Sequence, residues 1–137
     1  MLRLTAQDAD DLSVISAQMQ DAVLKFADLN FNSKRRRFAL VANRFAWDDA
    51  KLTTRRRTGL HFDHVKSVQK QGFKNVGPET ILSLLAISFR AVDELSGHIT
   101  LSFSAGHHLR LEVECVDATL ADMGPAWSTE MTPSHEH

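Results

Sequence analysis

Residues 97–115 read GHITLSFSAGHHLRLEVEC, and within them Ile99, Leu101 and Phe103 alternate with Thr100, Ser102 and Ser104. After Ala105-Gly106, Leu109, Leu111, Val113 and Cys115 alternate with Arg110, Glu112 and Glu114. A period of two with apolar residues on one side is the signature of half-buried strands. Two such runs joined by a short Gly-containing turn read as a β-hairpin. One sheet face therefore rests on a core and the other meets water, which favours antiparallel pairing.

The same period recurs upstream. Leu85, Ile87 and Phe89 predict one strand, Leu60 and Phe62 another, and Phe38, Leu40 and Ala42 a third. Leu24 and Phe26 open a strand that Leu29 and Phe31 continue after a kink, Leu2 and Leu4 suggest a short one, and Val65 and Val68 begin one running towards Phe73. Phe45 and Trp47 fall on the opposite parity from Phe38 and Leu40, as Val116, Ala118 and Leu120 do relative to Leu109 to Cys115. A bulge in each strand accounts for such switches, as does burial on both faces near Asn43. The period lengthens only near the start, where Ala9, Leu12, Ile15, Met19 and Ala22 form a helical stripe, with Thr5 and Asp8 spaced as a capping box and Asp10 and Asp11 in the first turn. These features predict an α+β domain: a strongly curved antiparallel sheet or partly closed barrel of about six or seven strands, with one N-terminal helix. It spans residues 1–127. Trp127 docks as a core plug after Gly124-Pro125, and 128–137 form a C-terminal tail.

The 137 residues suit a single core, and 43% apolar with 24% charged residues is a globular composition. Cys115 is the single thiol, which excludes an intrachain disulfide and fits core packing. The acidic N-terminus lacks the apolar stretch of a signal peptide, and no run approaches membrane-spanning length, so a cytoplasmic protein is expected.

The formal charge of −1 conceals a polar distribution. Residues 34–74 hold 12 basic and three acidic groups, whereas 75–137 hold two and nine. Arg35, Arg36 and Arg37 precede one strand and Arg55, Arg56 and Arg57 another. Guanidinium forks suit phosphate and carboxylate, and alternate residues of each triplet share a face, so the six arginines are the candidate anion-binding residues. The competing reading pairs them with Glu112, Glu114, Asp117 and Asp122 inside the fold. A non-enzymatic binding module for an acidic protein or a phosphorylated small molecule is the leading expectation. Nucleic acid is disfavoured, since the whole chain is not basic and carries no recognition signature.

His61, Asp63 and His64 form the densest ionisable cluster and support the alternative of a hydrolase or metal-dependent enzyme. His61 and Asp63 share a strand face while His64 points away, so a metal would need another ligand, such as His98, His107 or His108. No Ser or Cys stands in a nucleophile motif and no glycine-rich phosphate loop is present, so neither a cofactor nor a metal is assigned. A third reading is a homodimer joining the basic segment of one chain to the acidic half of another.

The run GLHFDHVKSVQKQGF (59–73) resembles the middle hairpin of pleckstrin-homology-like barrels. Over nearly its whole length the chain also resembles a bacterial, mainly alphaproteobacterial, family known as domain-of-unknown-function family 2948. The carrying segments are LRLTAQDADDLSVISAQMQDAV (2–23), KRRRFALVANRFAW (34–47), RRRTGLHFDHV (55–65), LRLEVECVDATLADMGPAW (109–127) and PSH (133–135). That resemblance implies a single-domain protein and brings no activity or site residue with it.

Overall fold

A computed structural model describes residues 2–45, 54–123 and 127–128, the last two and Thr54 by their backbone alone. Trp47, residues 129–137 of the expected tail and the Trp127 side chain lie outside this description. Among the described residues, eleven strands and one α-helix follow each other along the chain: β1 (Arg3–Ala6), α1 (Ala9–Met19), β2 (Val23–Lys25), β3 (Leu29–Asn32), β4 (Arg37–Phe45), β5 (Thr54–Phe62), β6 (Val65–Gln71), β7 (Ile81–Ala91), β8 (Gly97–Phe103), β9 (His108–Val113), β10 (Ala118–Asp122) and β11 (Trp127–Ser128). The α+β class is as expected. The strand count is higher because the run read as one kinked strand divides into β2 and β3, and the run read as one bulged strand from Leu109 to Leu120 divides into β9 and β10.

All the described strand pairings are antiparallel, and the path runs β1-β10-β5-β4-β2-β7-β8-β9-β6, with β3 added on β4 and β11 on β5. It is an open path with ends at β1 and β6, so the expected strongly curled or partly closed barrel is not formed. Nor do β5 and β6 make the expected hairpin: β5 pairs with β4 and β10, while β6 pairs with β9. The chain instead turns a corner at Asp63-His64, and turns it again between β9 and β10. Three backbone bonds fasten these crossings, from Asp63 N–H to Asp117 C=O (2.9 Å), from Glu114 N–H to His64 C=O (3.0 Å) and from Val65 N–H to Arg36 C=O (2.9 Å).

That corner explains one parity switch. β9 ends at Val113 and β10 starts at Ala118, so the change of phase belongs to two strands with different partners rather than to a bulge. The other switch has a different cause. β4 runs from Phe38↔Phe62 to Phe45↔Arg55 without a register shift, so there is no bulge at Asn43. Its core-facing series is Phe38, Leu40, Ala42 and then Arg44, which is completely buried. Phe45 faces outward beneath Arg55, whose guanidinium carbon lies 3.5 Å from the ring centroid. Bulges occur where the sequence shows none, in β7 between Leu84 and Ala86 and in β6 between Val65 and Ser67. The first turns Leu85 outward and places Leu82, Leu84 and Ile87 in the core.

Helix α1 is capped by Asp8, whose carboxylate accepts from Asp11 N–H at 2.8 Å, rather than by Thr5, which belongs to β1. The helix packs on β7, β1 and β4 and inserts Leu12, Ile15 and Met19 into the core. Ser16 also uses its hydroxyl oxygen to accept from Ile87 N–H (2.9 Å), a donor just beyond the β7 bulge. The core is one apolar cluster in which Phe62, Phe103, Leu101 and Ile99 are among the fully buried side chains.

Gly97 begins β8 opposite Ala91. A Cβ there would stand 2.2 Å from Arg90 C=O and within 3 Å of the Phe89 ring. Gly97→Ala is therefore expected to shift the β7–β8 pairing and cost about 1–3 kcal/mol, the range of an overpacked site. Urea denaturation checks this. A loss below the roughly 0.5 kcal/mol of an ordinary surface substitution would show that the backbone yields.

Candidate functional site

An apolar cleft of about 440 Å³ opens where the sheet fails to close. β3 pairs with β4 and β6 with β9, while β3 and β6 do not pair with each other. Phe31, Phe38 and Leu29 line one side and Val68 and Leu109 the other, with Phe26 and Pro78 completing the wall. Phe26 lies on a 3-10 turn (Phe26–Asp28) that interrupts the run from β2 to β3. That turn aims the ring into the gap instead of continuing a ladder. It also packs on Phe73 at 5.4 Å between centroids, and Phe73 in turn stacks on His107 at 5.0 Å. Phe26, Leu29, Phe31 and Val68 remain half-buried although all four pack against the core.

One cation enters this apolar surround. Lys70 on β6 pairs opposite the core residue Leu109, so it occupies a position facing the cleft, and its Nζ lies 5.3 Å from the Phe26 ring centroid. No described carboxylate comes within ion-pair distance of it. The arrangement can hold an apolar body against aromatic rings while one ammonium meets a negative end. In the sequence Lys70 is one of the 12 basic residues of 34–74 and stands outside both Arg triplets. The legible signal was its phase: it continues the inward alternation of Val68 on a strand that otherwise reads as solvated.

The six candidate arginines do not form one site. Because β4 and β5 are antiparallel, Arg35, Arg36 and Arg37 lie beside Phe62 and Asp63, while Arg55, Arg56 and Arg57 lie beside Phe45 at the other end. Eight residues of strand separate them, roughly 25 Å. Arg36 meets Glu114 at 2.9 Å, and Arg37 grips both oxygens of Asp63 at 2.7 and 3.3 Å. That bidentate bond raises the Arg37 pKa further. Such exposed pairs contribute about 0–1 kcal/mol each. In the second triplet Arg55 and Arg57 do share the outer face, with Arg57 beside Asn43. Burial against Phe45 lowers the Arg55 pKa. Arg56 turns inward, its Nε 3.7 Å from Asp122. Arg35 and Arg57 have no ion pair among the described residues.

Asp122 is the centre of a buried ionic node. It accepts from Arg44 Nε at 2.9 Å and Nη2 at 2.8 Å, from the Thr58 hydroxyl at 2.7 Å and from Leu2 N–H at 2.7 Å. Burial by itself would raise its pKa, but the hydrogen bonds from Arg44, Thr58 and Leu2 outweigh that and hold it below the usual value. Arg44 also donates to Gln18 Oε1 and Phe45 C=O. The pair ties the start of β1, β4, β5, β10 and α1 together, and both side chains are completely buried.

The His61, Asp63 and His64 cluster divides as its strand geometry implies. His61 Nε2 is 3.5 Å from Asp63, whereas His64, in a left-handed conformation (φ 60°), turns to Asp117 at 3.4 Å. Burial and Arg37 lower the His61 pKa, so it is the neutral imidazole that is favoured. Among the described residues no group of three or more His, Cys, Asp or Glu is placed to hold a metal ion. Cys115 is half-buried beyond the end of β9, and burial raises its thiol pKa, which disfavours the nucleophilic thiolate.

Among the described residues, no helix is long and apolar enough to cross a membrane. No curated protein and no solved structure matches the chain significantly. The family model of DUF2948, described as a protein of unknown function, matches residues 2–135, and the chain belongs to that family.

Proposed function

We propose that the protein is a non-enzymatic binding module for an amphiphilic anion, held with its apolar body in the cleft between β3 and β6 and its negative end on Lys70. The observation that carries this reading is the position of the cleft: an unpaired gap in the sheet, walled by Phe26, Phe31 and Phe38, with one cation that lacks a carboxylate partner among the described residues. Its volume lies within the usual range of small-molecule pockets, about 300–1,000 Å³, and an apolar lining with few polar groups is their usual character. The reading keeps the expected anionic partner and moves it away from the Arg triplets. The separation of the triplets argues against one shared site, and the pairing of Arg36, Arg37 and Arg56 with Glu114, Asp63 and Asp122 favours a role within the fold for those three.

Calorimetric titration with dodecanoate tests it. Wild type is expected to bind, Val68→Trp to lose binding by filling the cleft, and Lys70→Gln to weaken it about tenfold, the worth of one charge-assisted hydrogen bond. An inward-phase lysine on an edge strand also discourages strand-to-strand aggregation. If Lys70→Gln aggregates while its soluble fraction binds dodecanoate as wild type does, protection of the edge is the role of Lys70 and the ligand reading fails.

A further inference from the structure

A second concavity lies across β6 from the apolar cleft. It measures about 550 Å³ and is lined by Gln69, Lys70, Gln71, Thr100, His108 and Arg110. Lys70 borders both hollows, so β6 forms the rib between them. The register explains the basin: Gln69 stands opposite Arg110, Arg110 opposite Thr100, and Gln71 opposite His108, which places these side chains on one sheet face. None of the lining groups is a carboxylate. Arg110 donates from Nη2 to the neutral Gln69 Oε1 at 2.7 Å, leaving its full charge uncompensated by any described ion pair. The nearest acid along β9 is Glu112, which lies outside the lining and accepts from the Ser67 hydroxyl at 3.1 Å.

We infer that the cleft's ligand carries a phosphate head group, which passes over the β6 rib and is held between Lys70 and Arg110. This rests on the reading of the apolar cleft given above. A carboxylate has two oxygens and one charge, which Lys70 alone can meet. A phosphate monoester carries about −1.5 to −2 charges and three strong acceptor oxygens. It can therefore take Lys70 on one side and the Arg110 fork on the other, with Gln69, Gln71 and Thr100 as neutral donors. The ligand class is a phosphorylated lipid with a single apolar chain.

Titrations with dodecyl phosphate (below its critical micelle concentration), dodecanoate and inorganic phosphate separate the outcomes. Dodecyl phosphate is expected to bind wild type at least tenfold more tightly than dodecanoate, and this advantage is expected to shrink as salt rises. Arg110→Gln should remove the advantage while leaving dodecanoate affinity unchanged, and Val68→Trp should abolish binding of both. Equal affinity for the two amphiphiles, or an advantage that survives Arg110→Gln, overturns the phosphate inference while the cleft stands. Failure of both amphiphiles to bind wild type overturns the cleft itself. Inorganic phosphate binding as tightly as dodecyl phosphate, and unaffected by Val68→Trp, makes the basin a site for free phosphate and overturns the lipid assignment.

Discussion

Replacing Asp122 with alanine is expected to destabilise the fold by about 3–5 kcal/mol, because it leaves a charged guanidinium buried without its counterion. Arg44 is fully buried on the core face of β4 and gives Asp122 two parallel hydrogen bonds. The substitution also strips partners from the Thr58 hydroxyl and from Leu2 N–H. Against a total stability of about 5–15 kcal/mol for a typical domain, the loss moves the unfolding midpoint in urea far to lower concentration. The double variant Arg44→Met/Asp122→Leu removes both charges and keeps similar volume, so it should recover much of the loss. A double variant as unstable as Asp122→Ala would show that packing around the node, not the uncompensated charge, is what matters.

The same node sets an acid limb. The folded-state pKa of Asp122 is held below its unfolded value, so its contribution is fully present above the unfolded carboxylate value of about 4. It is then lost progressively as pH falls through the folded value. Stability measured from pH 6 downward should fall more steeply in wild type than in the double variant. Parallel curves would show that Asp122 does not contribute to the acid sensitivity.

Phe62→Ala is expected to cost about 3–5 kcal/mol and to lower Tm on the order of 10 °C. Phe62 is completely buried at the end of β5, paired between Phe38 on β4 and Ala118 on β10, immediately before the chain turns the corner at Asp63. Ala118 cannot grow into the space, and the Phe38 ring, 6.4 Å away between centroids, is fixed by its own strand. Phe31→Ala at the cleft makes the contrast. Phe31 is half-buried on β3, so its truncation should cost much less stability, on the order of 1 kcal/mol, while reducing ligand binding. Equal melting losses in the two variants would mean that the Phe31 wall is core rather than cleft.

The hairpin at 97–113 is legible in the sequence because both its strands have one wet face, and alternation then records burial directly. β8 and β9 appear where Ile99 to Phe103 and Leu109 to Val113 place them. The α1 stripe is legible for the same reason. Cys115 marks where the legibility stops: it keeps the phase of β9 but lies beyond its end, at the corner. Arg44 shows the reverse problem. An arginine in the inward phase of β4 reads as a break in the pattern, since only a carboxylate 78 residues away makes its burial tolerable. The cleft was harder still. Phe26, Leu29 and Phe31 announce an apolar segment equally well whether they complete a core or line an opening.

The sequence by itself determined the fold class, the helix, the clear alternating strands and the segregation of charge, because these depend on neighbours within one element. Only the tertiary structure decided where the charge lies and what it meets. Antiparallel pairing of β4 with β5 drives the two Arg triplets to opposite ends, brings Asp63 and Glu114 onto the first, and turns Arg56 towards Asp122 in the second. β3 and β6 each pair with another strand but not with each other, and the gap between them is the apolar cleft. Strand order and register are relations between distant segments, and no local period encodes them.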